Sequence, residues 1–467
     1  MSDLMHWLGV ATIASPAATT LLLGALLLLG FRLSERFMCR VLQLGVLVGL
    51  AAAVGIFAGM QATGVYEVII DLGEWVQILP DYHFRIELLF DRLSVPFCAL
   101  TFVLCSTITA FAQRYLHRER GFHRFFILYS IFTLGMITTA VAGTVETLFT
   151  GWELVGLSSV LLIGFYNDRP APVRNAFRVW VVYRLSDAAL LLAAILTHRL
   201  AHGGDFHQLA GVGVWPNETT ELTPFDATVI GGLLLIAAAG KSALLPFCGW
   251  LPRAMEGPTP SSAVFYGALS VHLGAFLLLR VSPLFDRSVG LAAAAVALGL
   301  GTAVYGYLVG RVQTDIKSVL SFASLTQVGI IVAEIGLGCR YIALVHLLGH
   351  ACLRTLQFLR APSLLLDYKL VENAIGGKLP RDLSGSASRG QIVLYRFSIE
   401  RGYLDAFLSD TLAEPFLKLF RRLTIWETRW IAWLNGAQGP GSPAAPIEVV
   451  RLPEIPTAEP ELVEARS

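Results

Sequence analysis

Apolar runs about as long as a bilayer is thick constrain what this chain can fold into. A helix crosses the hydrocarbon core in roughly 20 apolar residues. Runs of that kind lie near 7–30, 41–62, 93–113, 124–143, 146–166, 176–198, 227–250, 260–280, 289–310, 317–337 and 341–366. Charged residues make up only 15% of the chain, too few to cover a soluble domain of 467 residues. The sequence therefore predicts an all-α polytopic membrane protein with about 11 transmembrane helices.

Basic residues alternate between the predicted loops. Those after the odd-numbered runs carry Arg32, Arg36 and Arg40; Arg114, Arg118, Arg120 and Arg124; Arg169, Arg174 and Arg178; and Arg311 with Lys317. The intervening loops are short or acidic. Because Lys and Arg accumulate in cytoplasmic loops, this alternation predicts an N-terminus outside and a C-terminus in the cytoplasm of a cell (inner) membrane.

The character of the chain changes after the last apolar run. We predict a transmembrane domain over 1–366, a polar cytoplasmic linker over 367–403, an amphipathic helix over 404–436 and a disordered tail over 437–467. The helix prediction rests on apolar positions that recur every three or four residues from Leu404 to Trp433. This helix could lie on the membrane surface, on a partner or on the chain's own helices.

Ionisable residues inside the predicted spans are the main functional signal. They are Glu153 in the fifth span, Arg184 and Asp187 in the sixth, Lys241 in the seventh, His272 in the eighth, Glu334 in the tenth, and His346, His350 and Arg354 in the eleventh. Each costs several kcal/mol at the bilayer centre, so each is a functional hypothesis by default. A charge row across several spans predicts translocation of H⁺ or Na⁺ rather than catalysis by this chain.

Lys241 is the most informative of these residues. Pro246 follows it by five positions, and a proline there breaks the helix, which membranes tolerate where the gap lines a cavity. Burial favours the neutral form of a lysine, and a nearby carboxylate such as Glu153 favours the charged form. Movement of either group would switch Lys241 between holding and releasing a proton. The alternative is a static clamp between two helices.

The histidines and the Arg184/Asp187 pair leave more than one interpretation open. Histidines titrate near neutral pH and suit proton relay, although a membrane histidine also serves as a helix-to-helix hydrogen bonder. Their spacing puts His346, His350 and Arg354 on one helix face, and no third ligand for a metal is evident. Arg184 and Asp187, three residues apart, should neutralise each other. A net charge of +1 does not indicate a basic surface that would bind nucleic acid.

Three stretches match known motifs. They are Gly151-Trp-Glu-Leu-Val-Gly-Leu with Leu161 to Tyr166, Gly240-Lys-Ser-Ala running to Pro260, and Val312 to Leu320 with His346-Leu-Leu-Gly-His350 beyond it. Together they resemble the antiporter-like subunits of respiratory complex I, especially subunit L, and of multisubunit sodium/proton antiporters. The resemblance covers about 85–380.

The resemblance implies roles for individual residues. The positions of Glu153 and Lys241 hold the central ion-translocating pair of that family, and Asp187, Lys317, His346 and His350 fall on its polar axis. The chain departs from subunit L at Tyr266, where a histidine is usual, and at Arg354, where a lysine is usual. Subunit L also continues for several more spans and a lateral helix, so we expect its exit half-channel to be missing or rebuilt here from His346, His350 and Arg354.

Those departures resemble a narrower group, DabB, the membrane subunits of DAB inorganic carbon accumulation complexes. The stretches that carry this resemblance are Pro260 to Ala275, Leu394-Tyr-Arg and Glu400 to Asp405. The resemblance implies a large cytoplasmic DabA-like partner that holds zinc in a carbonic-anhydrase-like site, driven by ion flow through this chain. The chain itself should hold no cofactor.

Three functions follow as hypotheses. The first is the energy-coupling subunit of an inorganic carbon (CO2/bicarbonate) transport complex, which the shorter C-terminal half favours. The second is a proton-pumping subunit of a complex I-like NADH-quinone oxidoreductase or of a multisubunit Na⁺/H⁺ antiporter. The third, a membrane anchor that moves no ion, would have little reason to bury so many charges.

Overall fold

Helices dominate the computed structural model, which describes residues 2–79, 82–200, 203–211, 213–375, 389–408, 410–411 and 414–434. Eleven helices are long and apolar enough to cross a membrane. They are α1 Ser2–Leu28, α2 Glu35–Thr63, α3 Ser94–Tyr115, α4 Phe122–Ala140, α5 Val145–Ile163, α6 Pro170–Leu200, α7 Pro224–Lys241, α8 Thr259–Arg280, α9 Val289–Gly310, α10 Ile316–Gly336 and α11 Arg340–Ile375. The predicted fold class is confirmed.

Side-chain caps explain where several of these helices begin. The side chains of Ser34, Thr144, Thr223, Ser288 and Asp315 each accept a hydrogen bond from a backbone N–H of the first turn of the following helix. Such residues satisfy donors that have no partner within the helix. The polar residue at the end of each loop thus fixes the first turn of the next span.

Two spans depart from regular α-helix. The regular helix α7 ends at Lys241. The chain then continues through short helical turns at Phe247–Gly249, Trp250–Arg253 and Ala254–Glu256. The helix α8 contains a π-helical segment, Ala263–Ala268, and a 3₁₀ turn, Ser270–His272. Irregular backbone at membrane depth is tolerated only when it is buried in protein, and α8 is the most buried of the eleven spans.

A β-hairpin lies between α2 and α3, where the sequence analysis predicts only an acidic loop. Strands β1, Glu67–Leu79, and β2, Tyr82–Asp91, pair antiparallel, with Ile70 opposite Leu88. The signal was present, because Phe84, Ile86 and Leu88 alternate with Arg85 and Glu87. Period-two alternation is typical of a half-buried strand.

Contacts gather the even-numbered loops on the side of the hairpin, which we call the hairpin face. Residue Thr144 bridges Asp205, His207 pairs with Glu67, and Arg340 pairs with Asp286. The loops that carry the arginines meet on the opposite side, the basic face, where Glu35 of α2 accepts from His117. The alternation of loop charge therefore matches the grouping of the loops, and the orientation in a cell membrane stays a prediction.

An ion pair ties the hairpin to α8. Asp91 accepts hydrogen bonds from Arg280 Nη1 at 2.5 Å and Nη2 at 3.2 Å, and from the backbone N–H groups of Leu93 and Ser94 at 3.0 and 2.7 Å. Both charged side chains are almost wholly buried. A buried pair with this many hydrogen bonds holds the start of α3 against the end of α8.

The C-terminal part differs from the predicted segmentation. The helix α11 continues past 366, and α12, Arg389–Ile399, also lies within the predicted linker 367–403, followed by turns at Arg401–Tyr403 and Leu404–Leu408. The chain divides into two units, Met1–Leu404 and Asp405–Ser467. The second contains α13, Glu414–Leu434, inside the predicted amphipathic helix. The predicted disordered tail lies outside the described residues.

Candidate functional site

The central cluster is built by α5, α6 and α7. Lys241 is the last residue of α7, at the point where the regular helix ends and Ala243 adopts a left-handed conformation (φ 56°). Its side chain is completely buried. Its Nζ donates a hydrogen bond to the backbone carbonyl of Trp152 at 2.8 Å. The ammonium also lies 4.9 Å from the Trp152 ring centroid and 4.6 Å from that of Tyr183, so aromatic faces replace part of its hydration.

Two carboxylates share one arginine beside Lys241. Arg184 Nη2 binds Glu153 and also lies 2.9 Å from Asp187 Oδ2. Asp187 Oδ1 accepts a second bond, from the indole Nε1 of Trp152, at 2.7 Å. Arg184 occupies both carboxylates, and Lys241 lies within 4 Å of neither of them among the described residues. Trp152, whose carbonyl binds Lys241, directly precedes Glu153 in the sequence.

Close backbone packing brings the helices of this cluster together. A Cβ on Gly240 would lie 2.2 Å from Ser186 Cβ, and one on Gly156 would lie 3.0 Å from Lys241 Nζ. Glycine is therefore required at 240 for α7 to approach α6, and any side chain at 156 would crowd the ammonium.

A second cluster joins α8 and α11. His272 Nε2 and His350 Nδ1 are 2.9 Å apart, and both residues are buried. His350 Nε2 accepts from Arg354 Nε at 3.4 Å, and Arg354 Nη1 donates to Gln357 Oε1 at 2.7 Å. One imidazole nitrogen of each histidine thus faces the other, a geometry in which a proton can pass between the rings.

The second cluster continues toward the hairpin face through α10. The rings of His346 and His350 are 6.4 Å apart. His346 Nδ1 lies 3.0 Å from Glu334 Oε1, and its Nε2 lies 2.9 Å from Gln327 Oε1. Glu334 lies within three residues of the end of α10, so the imidazoles lead from mid-span toward that face.

Buried hydroxyl groups lie between the two clusters. The Tyr183 hydroxyl is beside that of Ser270 without meeting hydrogen-bond geometry. The hydroxyls of Tyr183, Ser242 and Ser270 are buried and have no hydrogen-bond partner among the described residues. Tyr183 contacts Lys241 through its ring, and Ser270 precedes His272 by two residues. The Tyr183 and Ser270 hydroxyls therefore lie between the two clusters, without a continuous chain of hydrogen bonds among the described residues.

Two family profiles match the chain. Residues 142–375, half of its length, match the family described as NADH:quinone oxidoreductase/Mrp antiporter, TM, and 75–126 match the N-terminus of chain 5 of NADH-ubiquinone oxidoreductase (complex I). The chain belongs to this antiporter-like family. The matched region includes every residue of both clusters.

Individual relatives agree with this membership. The chain is 33% identical over 298 residues to NADH-ubiquinone oxidoreductase chain 5 of Schizophyllum commune, covering 63% of this chain and 42% of the relative. It is 32% identical over 292 residues to NADH-quinone oxidoreductase subunit L of Neisseria meningitidis, covering 61% and 43%. The chain thus spans about two fifths of the length of these curated relatives.

Solved structures show the same antiporter-like fold. The Mrp complex of Dietzia sp. superposes with a TM-score of 0.62 at 25% identity, covering 83% of this chain and 39% of that one. An archaeal membrane-bound sulfane sulfur reductase superposes with a TM-score of 0.64 at 20% identity, covering 84% and 77%. The second likeness concerns the fold alone.

Two of the predicted site residues of this antiporter-like chain lie outside both clusters. Lys317 Nζ donates to the carbonyl of Gly257 at 3.4 Å, near the basic face. Pro246 lies in the irregular stretch after α7, where the N–H of Leu245 donates to Thr302 of α9. The break in α7 begins at Lys241, ahead of the proline. The other predicted site residues join one cluster or the other.

Sequence reasoning missed the neutral members of the site. Trp152 and Tyr183 form the walls around Lys241, and Gln327 and Gln357 bind His346 and Arg354. An aromatic or amide residue in a membrane helix carries no signal of its own. Glu334, noted as a buried charge, gains a role through His346. Among the described residues, no group of three or more His, Cys, Asp or Glu could hold a metal ion.

Proposed function

We propose that this chain conducts protons through the membrane as a subunit of a multisubunit complex. The proposal rests on the surroundings of Lys241. Its ammonium is completely buried and contacts a neutral carbonyl. It lies beside two carboxylates that Arg184 already binds. A lysine in that position gains or loses a proton when its neighbours move.

Charge balance defines the two states of the switch. With Glu153 and Asp187 ionised, Arg184 neutralises one carboxylate and a protonated Lys241 neutralises the other, so the cluster is neutral. The side chains of Arg184 and Glu153 are 38% and 24% exposed, whereas Lys241 is completely buried. Movement of the more exposed Arg184 away from Asp187 would strengthen proton binding at Lys241, and its return would favour release.

Hydroxyl groups and imidazoles would carry the released proton. Buried hydroxyls without protein partners are normally satisfied by ordered water, and water at Tyr183 and Ser270 would connect Lys241 to His272. His350 Nδ1 lies 2.9 Å from His272 and accepts the proton when the ring proton of His350 is on Nε2, which requires Arg354 to stop donating to that nitrogen. His346 with Glu334 then leads to the hairpin face.

The chemistry of the relay favours H⁺ over Na⁺. Its members are an ammonium, hydroxyls and three imidazoles, which accept and donate protons. A hard alkali cation prefers a set of oxygen ligands, as other hard cations do. The nitrogen-rich path therefore suits a proton.

Two complexes are candidates for the assembly. The resemblance of Pro260 to Ala275 and of Glu400 to Asp405 to DabB supports an inorganic carbon complex, in which a large cytoplasmic DabA-like partner would hold zinc. The relatives, a chain 5, a subunit L and an Mrp complex, support a complex I-like oxidoreductase or a cation antiporter at least as well.

Proton flux into proteoliposomes tests the conduction itself. The complete complex, purified through a tag on this chain, is reconstituted, a membrane potential is imposed, and internal pH is followed with a dye. Lys241→Ala and Lys241→Arg should both lower flux roughly tenfold or more, because a guanidinium does not release its proton at working pH. Lys418→Ala, an exposed lysine of α13, is the matched control. Wild-type flux from a correctly assembled Lys241→Ala complex contradicts the proposal.

Copurification distinguishes the two complexes. The tagged chain is extracted from its native host in mild detergent, and bound proteins and metals are identified by mass spectrometry. One large zinc-containing cytosolic protein supports the carbon complex and justifies bicarbonate uptake assays with and without an uncoupler. Flavin or iron–sulfur subunits, or further antiporter-like subunits, support the redox or antiporter complex instead.

A further inference from the structure

Arg354 is a buried cation without an anionic partner. It is 6% exposed, and its hydrogen bonds go to His350 and Gln357, both of them uncharged acceptors. No carboxylate lies within 4 Å of it in the part of the chain that the structure describes. Arginine stays a cation at physiological pH. A buried charge is stabilised by pairing with an opposite charge, so a counter-ion would stabilise this guanidinium.

A cavity beside Arg354 is large enough to hold such a counter-ion. About 340 Å³ of space lies among α9, α10 and α11, and its lining includes Tyr307, Arg311, Thr326, Gln327 and Arg354. A water molecule takes about 30 Å³ in the liquid, so an ion and several waters fit. The described lining contains two arginines and no acidic residue, and the resulting positive potential excludes a cation.

Hydrogen-bond donors in the cavity define the ligand further. Arginine has five N–H groups, and the three bonds to His350 and Gln357 leave two on its terminal nitrogens. Two donors on one planar fork match a small oxyanion in a bidentate contact, and the same positive charge attracts a halide. The Tyr307 hydroxyl and the amide nitrogen of Gln327 supply further donors, whereas the Thr326 hydroxyl already donates to the carbonyl of Phe322.

We propose that this cavity binds a small monovalent inorganic anion on Arg354. The site lies next to His350, so a bound anion would neutralise the charge beside the histidine pair. The proposal goes beyond proton conduction and does not depend on it, because it concerns binding and not flux.

Equilibrium dialysis with radiolabelled chloride tests the site on the full chain in nanodiscs, with gluconate as the inert anion. Wild type should bind chloride saturably, and nitrate and bicarbonate should compete. Arg354→Gln should weaken binding roughly tenfold or more, because one partner of a buried charge contact is removed. Arg354→Lys should keep chloride binding and lose preference for the two oxyanions. Arg118→Gln, at an exposed arginine on the basic face, should bind as wild type does.

A second variant keeps the test decisive if Arg354→Gln does not fold. Ala323→Leu adds volume to the cavity lining and leaves Arg354 in place. It should also weaken chloride binding. If nitrate or bicarbonate competes more effectively than unlabelled chloride, the site prefers oxyanions. If unlabelled chloride competes more effectively, the site prefers halides. Both outcomes support the proposal. Absence of saturable binding in wild type, or equal binding in wild type and Arg354→Gln, overturns it.

Discussion

Lys241 donates its hydrogen bond to the backbone carbonyl of Trp152, 89 residues earlier in the chain, at 2.8 Å. The indole of the same tryptophan donates to Asp187 at 2.7 Å. One residue therefore holds the ammonium with its main chain and a carboxylate with its side chain. A shift of Trp152 would change the surroundings of both charges at once, which makes it a positioning residue of the proposed switch.

We expect Trp152→Phe to weaken this link selectively. Phenylalanine keeps the carbonyl and an aromatic face for Lys241 and removes the N–H donor of Asp187. Loss of one donor to a buried carboxylate should destabilise the protein by about 1–3 kcal/mol. Proton flux should fall several-fold. Thermal unfolding in detergent and proteoliposome flux measure the two effects. Trp7→Phe, at an exposed tryptophan of α1, is the control, and equal behaviour of the two variants would refute a positioning role.

Replacing either histidine of the His272/His350 pair should interrupt the relay. Glutamine fills similar space and makes hydrogen bonds, but it does not take up a proton. We therefore expect His272→Gln and His350→Gln to unfold near the wild-type temperature while flux falls roughly tenfold or more. His6→Gln, on an exposed position of α1, should leave flux unchanged. Wild-type flux from both buried variants would mean that protons bypass the pair.

The Asp91–Arg280 pair should matter for stability. Burial opposes ionisation of Asp91, but the charge and hydrogen bonds of Arg280 outweigh it and hold the Asp91 pKa below its ordinary range. Asp91→Asn leaves a buried guanidinium uncompensated, at a cost of about 3–5 kcal/mol. Asp91→Asn combined with Arg280→Met should recover part of that loss.

Size-exclusion chromatography after a heat step measures this prediction through the fraction that stays monodisperse. The half-exposed Asp71, which lies 4.0 Å from Arg85, provides the control variant Asp71→Asn, with an effect below about 0.5 kcal/mol. Because the folded Asp91 pKa is depressed, wild type should also lose this contribution as pH falls below the ordinary aspartate pKa of about 4. A double variant no more stable than Asp91→Asn would count against the buried pair as the cause.

Glu87 on β2 should make stability depend on pH in the opposite sense. Burial, followed by the charge of Asp205, raises the Glu87 pKa from 4.5 to about 7. Between those values the folded protein holds a proton that the unfolded chain releases, so stability falls as pH rises through this window. Glu87→Gln removes the penalty. At pH 8 the variant should be more stable than wild type by about 1–3 kcal/mol, and the difference should vanish below about pH 4.5.

Thermal melts across this pH range test the Glu87 prediction. Glu87 is 9% exposed, and the matched control is the exposed Glu119, whose change to Gln should not alter the pH dependence. A Glu87→Gln curve parallel to that of wild type at every pH would show that Glu87 does not titrate in this window.

The predictability of the site depended on how far apart its members lie in the sequence. Arg184 and Asp187 are three residues apart on one helix, and the spacing alone predicted the contact that the structure has at 2.9 Å. The same spacing argument put His346 and His350 on one face but did not reveal their partners: His346 binds Glu334 and Gln327, whereas His350 binds His272. Lys317 carried a charge at a matching position yet joined neither cluster.

The sequence by itself determined the number of spans, the alternation of basic and acidic loops and the approximate depth of each buried charge. These properties depend on residues within one segment, because membrane insertion responds to local hydrophobicity and flanking charge. Tertiary structure alone decided that Arg184 binds both carboxylates and that Lys241 turns to the Trp152 carbonyl. Those contacts depend on how α5, α6 and α7 pack against one another, and no single segment contains that information.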